Sequence, residues 1–252
     1  MSYIPVIRGV IGRRILINYQ VDPSTITSIL PAPFRPKLID GVAIAGICLI
    51  HLQAIRPKGM PSFVGFSSEN AAHRIAVTWD EQGVAKEGVY IPRRDTSSSL
   101  STLVGGKLFP GMHHRAAFTV ADDGYNVRVA LVSEDGQTRL RLVGQEASAL
   151  PSSSVFTTLD DASEFFQRGS VGYSATQHPD HLDCLELRSF NWKVRPFHVD
   201  QVEASFFDDQ RLFPAGSIKF DSALIMRNVE HEWHSCDQLS QSSYDERGVI
   251  AR

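Results

Sequence analysis

Lysine is scarce in this chain: six of 252 residues, so arginine carries most of the 25 positive charges. Arginine suits planar, two-point recognition of carboxylate and phosphate better than lysine does, although a solvated surface uses it equally well. An excess of one charge is lacking too. The balance of 25 basic against 28 acidic residues, with a pI near 6.3, is not that of a general nucleic-acid binder. No apolar run reaches membrane-spanning length; the longest, Val42 to Leu52, is about 11 residues and His51 closes it. The opening Met1-Ser2-Tyr3-Ile4-Pro5-Val6 has no basic region ahead of an apolar stretch, so no secretory signal is expected. Cysteine is also rare. Three residues, Cys48, Cys184 and Cys236, odd in number and widely spaced, predict no disulfide framework and a reducing cytoplasm as the home. Internal repeats and low-complexity linkers are missing, so residues 1–252 read as one domain. Ala147 to Ser154, around Pro151, serves as a crossover within one fold as readily as a boundary.

What remains is an ordinary globular composition, 42% hydrophobic and 21% charged, able to bury a core without staples. Strand patterns dominate. Arg14 to Gln20, Val42 to Leu52, His73 to Trp79 and Val84 to Ile91 read as strands. So do Arg115 to Ala121, Tyr125 to Ser133 and Gln137 to Gly144, joined by turns at Asp123-Gly124 and Asp135-Gly136. Ser217 to Val229 reads as a long strand with Ile218, Phe220, Ser222, Leu224 and Met226 on one face. Two short helices are expected. One has Asp22 as N-cap and Pro23 at its first position, and ends before Pro31; the other runs over Leu159 to Gln167, between Thr158 and Gly169. Many strands with few helices predict an α+β, mainly β fold: a closed or nearly closed antiparallel barrel with a small-ligand site inside or at its mouth.

Chemistry concentrates between Glu69 and Arg115. Glu69, His73, Arg74, Arg93, Arg94, Asp95, Lys107, His113 and His114 surround Gly105-Gly106-Lys107-Leu108-Phe109-Pro110-Gly111, whose glycines and Pro-Gly step demand special backbone geometry. Elsewhere His231-Glu232-Trp233-His234 with Cys236 invites a metal reading. His-x-x-His shares a face only on a helix, and here the context is a strand end with partly exposed polar residues. His178-Pro179-Asp180-His181 reads as an exposed turn. Gly105-Gly106-Lys107 lacks the glycine spacing and the following Ser or Thr of a phosphate loop, and no nucleophile-elbow signature occurs. Neither a metal nor a cofactor is expected.

The segment from Glu69 to Phe118 resembles the acetoacetate decarboxylase-like superfamily, most closely its uncharacterised bacterial branch, a domain of unknown function. A glutamate precedes a strand, then comes Gly88-Val89-Tyr90-Ile91-Pro92, matching Gly-x-Tyr-x-Pro, and finally a Gly-rich stretch enters a strand. The decarboxylase motif Ala-Gly-Arg-Glu-hydrophobic-aromatic-Gly-Phe-Pro-Lys-Lys falls ungapped on Val104 to His114. The resemblance implies a small anionic ligand in a barrel pocket, and self-association of the kind common among relatives. It places Glu69 where the family has an active-site glutamate. It also sets His113 where the family's imine-forming lysine stands and His114 at the second lysine. Imidazole has no primary amine, so imine-dependent decarboxylation is not expected. Lys107, a displaced nucleophile in principle, is better read as facing solvent.

Adjacent strand residues point to opposite faces, so one of His113 and His114 faces the interior; the ungapped alignment favours His113. As general acid or base, His113 is the catalytic candidate, with Glu69; the bland alternative for His113 is a hydrogen-bonded core histidine, and for Glu69 a surface carboxylate or a partner of Arg74. Arg93, Arg94, His114, Tyr90 and Lys107 are the ligand-binding candidates. Two functions stay open: proton transfer next to the carbonyl of a small keto or carboxylic acid, or a barrel that binds a small ligand without turnover. A purely structural role also remains.

Overall fold

The computed structural model describes residues 5–99, 111–176 and 181–236, with the backbone of 239–240. The chain begins with β1 (Ile7–Val21), α1 (Pro23–Ile29), β2 (Arg35–Pro36), β3 (Leu38–Ile39), β4 (Val42–Pro57) and β5 (Phe66–Glu81). There follow β6 (Val84–Thr96), β7 (His113–Asp122), β8 (Asn126–Ser133) and β9 (Arg139–Glu146). After α2 (Leu159–Arg168) come β10 (Val171–Ala175), β11 (His181–Ser189), β12 (Arg195–Ala204), β13 (Ile218–Ser235) and β14 (Leu239–Ser240).

Hydrogen bonding joins β6, β7, β8, β9, β12, β13, β1, β4 and β5 into an unbroken ring of nine strands, because β5 returns to β6. Ring closure leaves these strands no free edge. The pairing is antiparallel with two exceptions: along the edge of β6 away from β5, residues 89–91 run parallel to β10 and residues 94–96 parallel to β7. The sheet is therefore mixed rather than wholly antiparallel. β10 and β11 then bridge β6 to β13, which makes a second circuit on the other face of β5, β4 and β1.

Strict alternation sorts the side chains of these shared strands into two cores. Ile15, Ile17, Ala45, Ile47, Ile75 and Val77 pack with Val129, Leu142, Phe197 and Phe207 in one. Leu16, Ile44, Cys48, Ala72 and Ala76 pack with Leu224, Met226 and the buried face of α2 in the other. Strands apolar on both faces are what a doubly covered sheet requires. α2 is set by a capping box, Thr158 accepting from Asp161 N while the Asp161 carboxylate takes the Thr158 amide, and it buries Ala162 and Phe166. Trp192 fastens it by donating to Ser163 Oγ at 2.9 Å.

Three expectations need correction. Ile218 and Phe220 do not share a face with Leu224 and Met226: the register of β13 against β1 shifts at Asp221, so the first two pack on one core and the last two in the other. His231 and Glu232 are not partly exposed at a strand end but buried within β13. Cys184 and Cys236 are bonded, their Cα atoms 5.2 Å apart, and Cys48 is the buried free thiol. Sequence separation does not predict spatial separation once β11 pairs with β13. The cysteines therefore no longer argue for a reducing compartment. Among the described residues no helix is long and apolar enough to cross a membrane.

Candidate functional site

A cavity of about 50 Å³ opens on the second-core face of the sheet, lined by Ile50 and Leu52 of β4, Ser68, Asn70, Ala71 and Ala72 of β5, Arg94 and Asp95 of β6 and His113 of β7, and closed by Leu185 and Trp233. Arg94 and His113 are register partners on the parallel pair β6–β7. Arg94 donates from Nε to Ser174 Oγ at 2.9 Å. Among the described residues no carboxylate lies within ion-pair distance of it, and loss of water around the guanidinium brings its pKa down to about 10. At pH 7 it remains a cation. Gly111, at φ +91°, sits against this site: a Cβ there would lie 2.6 Å from Ser174 Cβ, and its amide donates to Asp183 Oδ2 at 2.9 Å.

His114 and Arg93 leave the strands on the other face. Arg93 forks onto Asp95, at 2.8 Å, and reaches Asp135 at 3.0 Å; His114 Nδ1 lies 3.1 Å from Asp135. Burial raises the Asp95 pKa despite the Arg93 pair. Burial works the same way on Asp135, but Ser133, the Gln137 amide and Arg93 outweigh it and hold that carboxyl far below the usual range. Arg93 and His114 thus engage two carboxylates, which leaves Arg94 as the member of the arginine pair that meets the cavity.

Glu69 is not brought together with His113. Its neighbours Ser68 and Asn70 line the cavity, and alternation turns Glu69 to the opposite face, where Arg13 Nη2 donates to it at 2.7 Å. Arg13, 3% exposed, also meets Asp122, which Arg227 joins to Glu146. Glu69 is therefore part of a six-residue ionic network, which Arg195 joins through Glu146, with Arg13 rather than Arg74 as its partner. Tyr90 also faces away, into the first core beside Phe34 at 5.9 Å, and burial raises its pKa. Lys107 lies outside the described residues. The sequence reading missed Asn70, Ser68 and Ser174. The period of two along β5 was the signal that marks Ser68 and Asn70 against Glu69. Nothing in the sequence pointed to Ser174, since β10 is short and without alternation.

A cluster of three or more His, Cys, Asp and Glu side chains able to hold a metal does not occur among the described residues. His231 and His234, three apart on a strand, point to opposite faces.

Among curated proteins none matches the sequence. Solved structures do. An acetoacetate decarboxylase-like enzyme from Sphingomonas wittichii RW1 aligns over 94% of this chain and 91% of its own at TM-score 0.55 and 14% identity. The acetoacetate decarboxylase of Legionella pneumophila subsp. pneumophila str. Philadelphia 1 aligns over 95% and 89% at TM-score 0.61 and 10% identity. The enduracididine biosynthesis enzyme MppR, complexed with the condensation product of pyruvate and imidazole 4-carboxaldehyde, aligns over 95% and 91% at TM-score 0.61 and 12% identity. At such identities the likeness establishes an acetoacetate decarboxylase-like fold. The model of the DUF2071 family, described as an uncharacterized conserved protein, matches residues 12–226. With most of its length matched, the chain belongs to the DUF2071 family.

Proposed function

We propose that the cavity between β4, β5, β6 and β7 takes a small keto acid, held by its carboxylate on Arg94, and that His113 moves a proton next to the carbonyl. Isomerisation, hydration and dehydration are the reaction classes that such a pair serves. The observation that carries this reading is Arg94, a desolvated guanidinium on the cavity wall whose partner is a neutral hydroxyl. A ligand carboxylate would supply the charge-assisted bond the fold withholds. Support for a keto acid comes from the pyruvate-derived ligand of the similarly folded MppR. With His113 standing where the decarboxylase motif has its amine, an imine has no nucleophile at that position, so the chemistry runs through acid and base instead.

The test is a thermal-shift screen of pyruvate, acetoacetate and other short keto acids, with proton NMR of each stabilising compound to detect product. Turnover that is lost in His113→Ala while binding survives is the expected result. Binding with no turnover across the screen means a ligand-binding barrel without catalysis, and retires the enzymatic reading. Borohydride added with acetoacetate, followed by intact-mass measurement, is expected to leave the mass unchanged; an adduct on Lys107 would restore imine chemistry and retire the role given to His113.

A further inference from the structure

A second group of cations lies on the same face, under α2, and shares no lining residue with the first cavity. Arg14 of β1 and Arg74 of β5 line a narrow cleft of about 30 Å³ with Lys37, Phe165 and Phe166. At Arg14, Phe166 and Gly169 the cleft adjoins a larger cavity of about 280 Å³, lined also by Gln167, Ser170, Ser189 and Trp192. Arg74 is 4% exposed, and its acceptor is the neutral Asn18 Oδ1. Arg14 donates from Nε to Cys48 Sγ at 3.0 Å. Arg74 Nε and Arg14 Nη1 are buried with no hydrogen-bond partner.

Three arginines of this chain are matched by acids, Arg13 by Glu69 and Asp122, Arg93 by Asp95 and Asp135, and Arg227 by Asp122 and Glu146, whereas among the described residues Arg14 and Arg74, like Arg94, have no acid within ion-pair distance. The nearby acids are already taken, Glu87 by Lys37 and Glu186 by Arg188. Burial foremost, and after it the field of Arg14, lowers the Arg74 pKa to about 10. Both guanidiniums lie over aromatic rings: Arg74 Cζ stands 4.7 Å from the Phe166 ring centre and Arg14 Cζ 5.7 Å from that of Trp192. Such cation–π contacts leave the N–H groups to bind oxyanions.

We infer that Arg14 and Arg74 form an anion site for the phosphate of a small phosphomonoester, whose polar body occupies the larger cavity beside Gln167, Ser170 and Ser189. Two uncompensated positive charges match a dianion better than a single carboxylate. Unsatisfied buried N–H groups are costly, and the phosphate oxygens satisfy them. This inference is independent of the keto-acid reading.

Calorimetric titration of the full chain with inorganic phosphate and with glycerol phosphate at low ionic strength tests it. One phosphate per chain is expected, with a dissociation constant of about 1 mM or tighter, weakened about tenfold or more by Arg74→Gln or Arg14→Gln and unchanged by Arg94→Gln. Arg14→Lys, which keeps the charge and stem, is expected to retain the fold and lose part of the affinity. Selenate grown into wild-type crystals is expected to give an anomalous peak beside Arg14 and Arg74. No binding by wild type, equal binding by the Arg14 and Arg74 variants, loss of binding in Arg94→Gln, or selenate found elsewhere alone would overturn the assignment.

Discussion

Arg94 and His113 face one another across the parallel β6–β7 pair and line the same cavity, although the chain between them is long enough to have put them anywhere. Parallel pairing explains this: β7 re-enters beside β6 in the same direction, so residues at matching register emerge on one face. Arg94→Gln keeps a neutral bond to Ser174 and removes the charge. Affinity for short keto acids is expected to fall about ten- to a hundredfold, measured by calorimetry, with the melting temperature little changed. Unchanged affinity would remove Arg94 from the site.

His113→Asn keeps polarity and abolishes proton transfer. Product formation in the NMR assay is expected to drop about a hundredfold or more while the dissociation constant moves little. A parallel loss of binding would make His113 a ligand contact instead.

Glu69 gives the opposite pattern. Glu69→Gln weakens the buried Arg13 pair and is expected to cost roughly 1–3 kcal/mol in urea melts, with ligand affinity unchanged. A stable variant that no longer binds would return Glu69 to the site.

Two buried histidines set the acid response. Burial foremost, with Arg93 nearby, lowers the His73 pKa to about 3, and burial lowers that of His231 to about 4. In the unfolded chain both protonate below about 6.5. As pH falls below that value the unfolded state takes up protons that the native state refuses, so stability is lost from about 6.5 down toward 4. The slope is about 1.4 kcal/mol per pH unit for each histidine. The paired carboxylates Asp122 and Asp135, held low, contribute only below about pH 4. His73→Leu, placed against Phe206 at 4.5 Å, is expected to halve the slope between pH 6 and 5 in denaturant melts. An unaltered slope would show that His73 protonates normally in the fold.

The Cys184–Cys236 bond closes a long loop, with a separation of 52 residues. Its reduction is expected to lower stability by about 2–4 kcal/mol, read from melts with and without reductant. Two reactive thiols beyond Cys48 in the native oxidised protein would contradict the pairing.

Much of this fold is legible in the residues. The Asp123-Gly124 and Asp135-Gly136 turns, the Asp22-Pro23 start and the Thr158 cap are local signals, and each sits where its chemistry places it. The strands β10, β11 and β12 were not legible, because short segments buried unevenly on both faces show neither period. Within the site, His113 was found through the motif, whereas Tyr90 and Glu69 were placed by kinship to a cavity that alternation turns away from them. Arg74 was read only as part of the polar cluster and as a partner for Glu69, and Arg14 escaped notice, for a related reason. On strands apolar on both sides, a single buried cation leaves no pattern, and only the tertiary arrangement shows that its acid is missing.

The central claim is tested most directly by a crystal structure of the wild-type protein grown with pyruvate. The expected density places the carboxylate within hydrogen-bond distance of the Arg94 guanidinium, with His113 beside the carbonyl. Pyruvate bound at Arg14 and Arg74 alone, or joined covalently to Lys107, would contradict it.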